Sequence, residues 1–173
     1  MGSFRSTKVF DGYSTVFRQW KAEETHCKFL HGYGVSLKVW FEGELDERNW
    51  VWDFGGMKRA KTTIDGMNPK AWMDYMLDHT TIIAEDDPHL DTFTELDSDC
   101  IIQLRVIPAT GAERFAEYFY NKINDFVQEE TNGRVRVVQV EFREHEKNTA
   151  FYKGDEVHKT ASGQYQSNKE SRF

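Results

Sequence analysis

No run of roughly 18 apolar residues occurs in the 173-residue chain, so nothing in it reads as a membrane span. The first residues, "MGSFRSTKVFDGY", contain no apolar core of the kind a secretory signal needs. Cysteine is scarce: Cys27 and Cys100 are the two present. They can in principle pair, but two cysteines do not make a disulfide framework, and free thiols in a cytoplasmic protein are the expectation. Positive charge is also short, with 22 Lys and Arg against 29 Asp and Glu and a formal net charge of -7. Such a surface repels phosphate backbones, which argues against nucleic acid as a partner while leaving room for a local basic pocket. No internal repeat is visible.

Aromatic residues are plentiful instead. They make up 14% of a chain that is 39% hydrophobic, which predicts a core or an interface packed from rings. The length suits one domain, expected over residues 1–154. The polar stretch 155–173 reads as a tail that is mobile or ordered only against another subunit.

The pattern along the chain alternates between strands and helices. Lys8 to Trp20 and Gly32 to Glu42 read as strands, the second with Val35, Leu37, Val39 and Phe41 on one face. "GELDERNW" reads as a hairpin turn and "WVWDFGG" as the end of that strand pair. Met57 to Ile64 suits a short helix. Asn68-Pro69 starts another, expected to carry Trp72, Tyr75, Met76 and His79. "AEDDPHLDTFTELDSD" reads as an acidic loop with at most one helical turn. Ile101 to Ile107 reads as a strand, with Cys100 a small buried hydrophobe beside it. Thr110 to Gln128 has the strongest helical period, through Phe115, Tyr118, Phe119, Ile123 and Phe126, with Gly133 as its stop. Arg134 to Glu144 alternates as a long strand and "NTAFY" adds a short one. The order implies an α+β domain, an antiparallel sheet with helices on one face.

Several clusters suggest chemistry. Cys27 lies beside His26 and four residues before His31, and a cysteine near a histidine can act as base or nucleophile. Asp78-His79 can form a carboxylate–imidazole pair. Glu144 ends a long strand, where an inward carboxylate can accept two hydrogen bonds from an aminopyrimidinone edge. Arg18, Lys21 and Lys28 flank the cysteine loop and can neutralise a phosphate or remain solvated. Asp53-Phe54-Gly55 reads as an Asx-type turn, architectural in purpose.

These segments occur in a telling order: Cys27 with His31-Gly32, Gly43 with Asp53-Phe54-Gly55 and Lys58, Leu77-Asp78-His79, Ala112-Glu113 with Ala116, and Glu144 with Asn148, Ala150 and Tyr152. Together, over residues 8 to 153, they resemble the 6-pyruvoyltetrahydropterin and 6-carboxytetrahydropterin synthase family. The resemblance implies the tunnelling fold, a four-stranded antiparallel sheet with two helices on one side. It implies sheets joined into an oligomeric barrel, trimeric or hexameric, with active sites between subunits. It implies a lyase acting on 7,8-dihydroneopterin triphosphate, in the carboxy branch on the route to 7-deazaguanines such as queuosine. Cys27 would be the general base, Asp78 and His79 the partner acid/base pair, and Glu144 and Glu113 the pterin-binding residues.

The chain departs from the resembled pattern at the zinc ligands. A first-strand histidine and an H-G-H pair are usual. Here Phe17 or a neighbour stands at the first position, and the pair reads His31-Gly32-Tyr33. Zinc is therefore expected only if His31 and His26, with or without Cys27, rebuild a site. The alternative is a zinc-independent pterin-binding relative with an aldolase- or epimerase-type reaction, or with none.

Overall fold

Alternation in the first part of the chain yields two long antiparallel strands, β1 (Phe4–Phe17) and β2 (His31–Gly43). The inner face of β2 carries His31, Tyr33, Val35, Leu37, Val39 and Phe41. The last four are buried. On β1 the alternation is interrupted once. Phe10 pairs with Leu37 and Tyr13 with Val35, so three steps on β1 match two on β2. The extra residue lies at Asp11-Gly12, and Gly12 takes φ 83°, a conformation open to glycine. This bulge moves Tyr13, Thr15 and Phe17 onto the face that Phe10 occupies.

The structure, a computed structural model, describes residues 2–155. The expected polar tail lies, from residue 156 onward, outside the described residues.

Two further strands, β5 (Val135–His145) and β6 (Asn148–Lys153), complete an antiparallel run β1-β2-β5-β6. Two more extend the sheet beyond the four expected. β3 (Thr80–Ala84) lies parallel to β1, and β4 (Leu104–Ile107) parallel to β3, giving the order β4-β3-β1-β2-β5-β6. All five residues of β3 are buried. A strand covered on both faces shows no alternation, which is why "TTIIA" carries no period-2 signal.

The helices are α1 (Gly56–Arg59), α2 (Pro69–Leu77), α3 (Leu90–Ser98) and α4 (Ala112–Glu130). In α2 the Asn68 side chain accepts from the Ala71 N–H at 2.9 Å and Pro69 opens the helix, as its sequence predicts. In α4 the buried stripe is Phe115, Phe119, Ile123 and Phe126. Phe142 of β5 lies 4.8 Å from Phe115 and 6.3 Å from Phe119 between ring centroids, and Trp72 of α2 lies 5.4 Å from Phe119. The aromatic surplus is thus spent largely on a ring-packed core between the sheet and these two helices.

Four local expectations are corrected. α2 ends at Leu77, and His79 lies past it with φ 57°, because the Asp78 N–H closes the last turn on Asp74. The acidic stretch holds the nine-residue helix α3 rather than a loop, with Phe93 as its buried anchor. Cys100 is exposed, at φ 57° in the turn after α3, because the strand begins only at Leu104. "WVWDFGG" is not a strand; Asp53 Oδ1 accepts from the Gly55 N–H at 2.8 Å, the Asx turn its sequence predicts.

Phe119→Ala is expected to lower the unfolding free energy by about 3–5 kcal/mol, from lost burial and the cavity left behind. Phe54→Ala, at a half-exposed ring, should change it by less than about 1 kcal/mol. Urea denaturation of both variants checks the ring-packed core, and equal losses would contradict it.

Candidate active site

The sequence-predicted residues gather mainly at one end of the sheet. Phe17, the last residue of β1, pairs with His31, the first of β2. The connecting segment is pinned back onto the strands. The Gln19 N–H donates to the Cys27 carbonyl at 2.8 Å, and Thr25 Oγ1 accepts from the Cys27 N–H at 3.1 Å, capping a single 3₁₀ turn over His26–Lys28. Cys27 is half-buried on this turn and His26 is exposed.

The brace for this loop is Arg18. Its guanidinium donates to both oxygens of Asp87, at 2.7 and 2.8 Å, and to the Lys28 carbonyl at 3.3 Å. Asp87 is 4% exposed. Lys21 pairs with Asp86 at 2.5 Å. Two of the three cations considered for phosphate are therefore already held by carboxylates. The α4 start is tied in as well. The Thr110 hydroxyl donates to the Arg18 carbonyl at 2.6 Å, and Gly111, at φ 120°, lies where a Cβ would meet the Gln19 side chain at 2.5 Å. This places Glu113, exposed, in the first turn of α4.

Glu144 follows Arg143, which pairs with Ser36 across β5 and β2. It sits at a register irregularity of β5 between Arg143 and His145, is half-buried, and its carboxylate accepts from the Asn148 side chain. Burial chiefly raises its pKa above the usual 4.5 and Glu113 adds to the rise, while His145, His31 and Asn148 oppose it. Glu144, Glu113 and His31 thus share one electrostatic neighbourhood. Cys27 belongs to it too, because burial, then Glu144, then Cys27 raise the pKa of Tyr33.

Tyr33 and His145 are the members that pattern reading missed. Tyr33 Oη lies 2.6 Å from His31 Nε2, and His31 Nδ1 lies 2.6 Å from the Phe29 carbonyl. A carbonyl only accepts, so Nδ1 carries the proton and Nε2 accepts from the tyrosine hydroxyl. The Tyr33 ring lies 5.2 Å from Phe17 and stacks on His145 at 6.0 Å. The H-G-Y spacing was the available signal for Tyr33, since residues two apart on a strand share a face.

Asp78 and His79 are not brought to this cluster within one chain. His79 Nδ1 donates to Asp78 Oδ1 at 2.8 Å, and both side chains are exposed. They precede β3, whose Thr80 pairs with Thr15 on the side of β1 away from β2. Their charge neighbour is Tyr13, whose pKa burial raises first and Asp74 and Asp78 raise further.

Nearly all of the described chain answers to one known pattern. It matches the description "6-pyruvoyl tetrahydropterin synthase" over residues 7–155. The chain belongs to the 6-pyruvoyl tetrahydropterin synthase family. Family membership supports a pterin-metabolising, lyase-type enzyme. Among solved structures, an uncharacterised protein of Wolinella succinogenes is similar at 21% identity and a TM-score of 0.69, covering 90% of this chain and 100% of that one. The 6-pyruvoyl tetrahydropterin synthase of Caenorhabditis elegans is similar at 18% identity and 0.59, covering 90% and 98%. That of Plasmodium vivax is similar at 15% and 0.55, covering 86% and 97%. These likenesses carry the fold. No curated protein matches the sequence.

Members of this family are usually zinc-dependent, and the residues present here do not fit that metal. Both His31 ring nitrogens are engaged, Phe17 faces Tyr33 and His31 from the first-ligand strand, and His26 sits over Phe29 at 6.5 Å on the exposed turn. Among the described residues no group of three His, Cys, Asp or Glu is placed to hold a metal. Within one chain the conditional site of His31 and His26, with or without Cys27, is not brought together, because the 3₁₀ turn leaves His26 exposed while His31 is bonded to Phe29 and Tyr33.

Asp87→Ala is expected to cost about 3 kcal/mol near neutral pH, since it leaves Arg18 buried without its carboxylate. Burial alone would raise the Asp87 pKa, but the Arg18 hydrogen bonds and the His89 N–H bring it below the usual range. A lowered pKa gives stability that is present above the unfolded value, about 3.9, and is lost as pH falls through the folded one. Denaturant titrations should accordingly show the gap between wild type and variant narrowing below about pH 4. A pH-independent gap would remove the ion pair from the account.

Proposed function

We infer that the protein is a dihydropterin lyase of the 6-carboxytetrahydropterin synthase type. Its substrate would be 7,8-dihydroneopterin triphosphate or a close relative, and its place the cytoplasmic supply of 7-deazaguanine precursors such as that of queuosine. The observation that carries this reading is Glu144, a half-buried carboxylate at the end of β5 that shares an electrostatic neighbourhood with Glu113 and, through Tyr33, with Cys27. A carboxylate there accepts two N–H bonds from an aminopyrimidinone edge. Cys27, on its pinned turn, is the base for the side chain of a bound ring.

Asp78 and His79 join the chemistry from a second copy. Within one chain they lie across β1 from Cys27, yet they form an oriented, exposed pair with Nε2 free of any bond to Asp78. A homo-oligomer that sets this pair against the Cys27 end of a neighbour supplies the missing acid/base partner. A second reading, a zinc-independent aldolase or epimerase on a dihydropterin, is favoured by the hydroxyl of Tyr33 on His31 Nε2. Those reactions need mainly proton transfer at ring and side chain.

Cys27→Ala should reduce turnover of 7,8-dihydroneopterin triphosphate by at least about 100-fold, the scale of a lost general base, with pterin affinity retained. Glu144→Gln should weaken pterin binding at least about ten-fold. Product analysis by chromatography together with fluorescence titration separates the two roles, and a fully active Cys27→Ala enzyme would falsify the assignment of the base.

Ring binding is also expected to depend on pH. The ionised Glu144 is the binding form, and its raised pKa means that affinity declines on acidification from above 4.5, the usual glutamate value. Glu113→Gln removes one cause of that rise and should move the acid limb to lower pH. Affinity profiles between about pH 4 and 8 read this directly, and an unmoved limb would separate the two carboxylates.

A further inference from the structure

We propose that Tyr33 takes the position of a metal at this site and receives the side-chain hydroxyl of the bound ring compound. The proposal rests on the reading of Glu144 as the ring anchor. Three observations carry it. The first is the hydrogen bond of the Tyr33 hydroxyl to His31 Nε2 at 2.6 Å, with His31 itself fixed by the Phe29 carbonyl at 2.6 Å. The phenol proton is thereby committed to the imidazole, and the oxygen's remaining lone-pair capacity is free to accept an incoming O–H. The second is the ring's enclosure, with Phe17 at 5.2 Å and His145 stacked at 6.0 Å and an interplanar angle of 21°. A hydroxyl held by a packed ring is positioned before a ligand arrives, which lowers the ordering cost of binding. The third is location. Tyr33 lies on the inner face of β2, within the electrostatic reach of both Glu144 and Cys27. A ring bound edge-on to Glu144 therefore extends its substituent over Tyr33, with Cys27 alongside.

The arrangement also explains why His31 is retained without its usual companions. Here it holds Tyr33. Phe17 fills the space that a further ligand would need and meets Phe115 at right angles, 4.8 Å between ring centroids. The ligand class that fits is a fused aminopyrimidinone with a hydroxylated substituent, because Glu144 reads the ring and Tyr33 reads the substituent.

Two probes separate these contacts: 7,8-dihydroneopterin, which carries the hydroxylated side chain, and 7,8-dihydropterin, which lacks it. Tyr33→Phe is expected to weaken the first about ten-fold, the scale of one hydrogen bond, and to leave the second unchanged. Glu144→Gln should weaken both. Equal losses on the two probes, or no loss, in Tyr33→Phe would overturn the role of Tyr33 while the Glu144 reading stands. A wild-type protein that binds neither probe overturns both.

A second arm does not depend on pterins. Phe17 and Tyr33 face each other and flank His31, so Phe17→His with Tyr33→His should create a three-histidine site. Elemental analysis after zinc loading and dialysis is expected to give about one zinc per chain for this double variant and below about 0.1 for wild type. Stoichiometric zinc in wild type would overturn the proposal. So would a folded double variant that holds none, because the two side chains would then not occupy ligand positions.

Discussion

A single extra residue on β1 decides which face of the sheet the site occupies. Without the bulge at Asp11-Gly12, strict alternation from Phe10 would turn Gly12, Ser14 and Val16 toward the helices and Phe17 toward the opposite face. With it, Tyr13, Thr15 and Phe17 stand inward, and Phe17 meets Tyr33, His31 and Phe115. The ring-packed core and the candidate site are therefore one continuous aromatic layer. Its buried middle stabilises the fold and its frayed end, where β1 and β2 diverge, exposes functional groups. The cost of that end is borne by the Arg18–Asp87 pair, which ties the end of β1, the cysteine turn and the entry to α3 into a single joint.

Around this joint the chemistry is divided by origin. The carboxylates proposed to read the ring come from β5 and α4, the thiol from a turn, and the hydroxyl–imidazole couple from β2. Only the couple is local in sequence. The others are long-range, so their mutual geometry depends on strand register and on the α4 entry at Gly111. The Asp78–His79 pair stands apart from all of them on the far side of β1. In the proposed function, that separation is what calls for a second copy of the chain.

Much of this was legible in the residues, and the rest was hidden for physical reasons. β1, β2, β5, β6 and the long helix α4 announce themselves because each has one buried face, and a buried face imposes a period. The α2 start is legible because Asn68 and Pro69 satisfy an orphaned helix end by local chemistry. β3 has both faces covered and so no period. α3 is an acidic nine-residue helix held by one buried phenylalanine, which propensity does not distinguish from a loop. Arg18 reads as a free cation because its carboxylate lies 69 residues away. A grouping of Cys27, Glu113 and Glu144 was expected from the resemblance that the order of short motifs carries. The hydrogen bond between Tyr33 and His31 was not, because tautomer and rotamer are fixed by the Phe29 carbonyl and by Phe17, neither of which a spacing reveals.

The Tyr33–His31 couple spans two residues of one strand, and that has a consequence for how such a site can change. Side chains two apart are neighbours by the pleat alone, so the couple travels with β2 whatever β2 pairs with. A metal site drawn from two strands has no such independence; one slipped step between the strands separates its donors. An intra-strand bond therefore leaves this end of the sheet tolerant of drift in its surroundings, where an inter-strand cage is not.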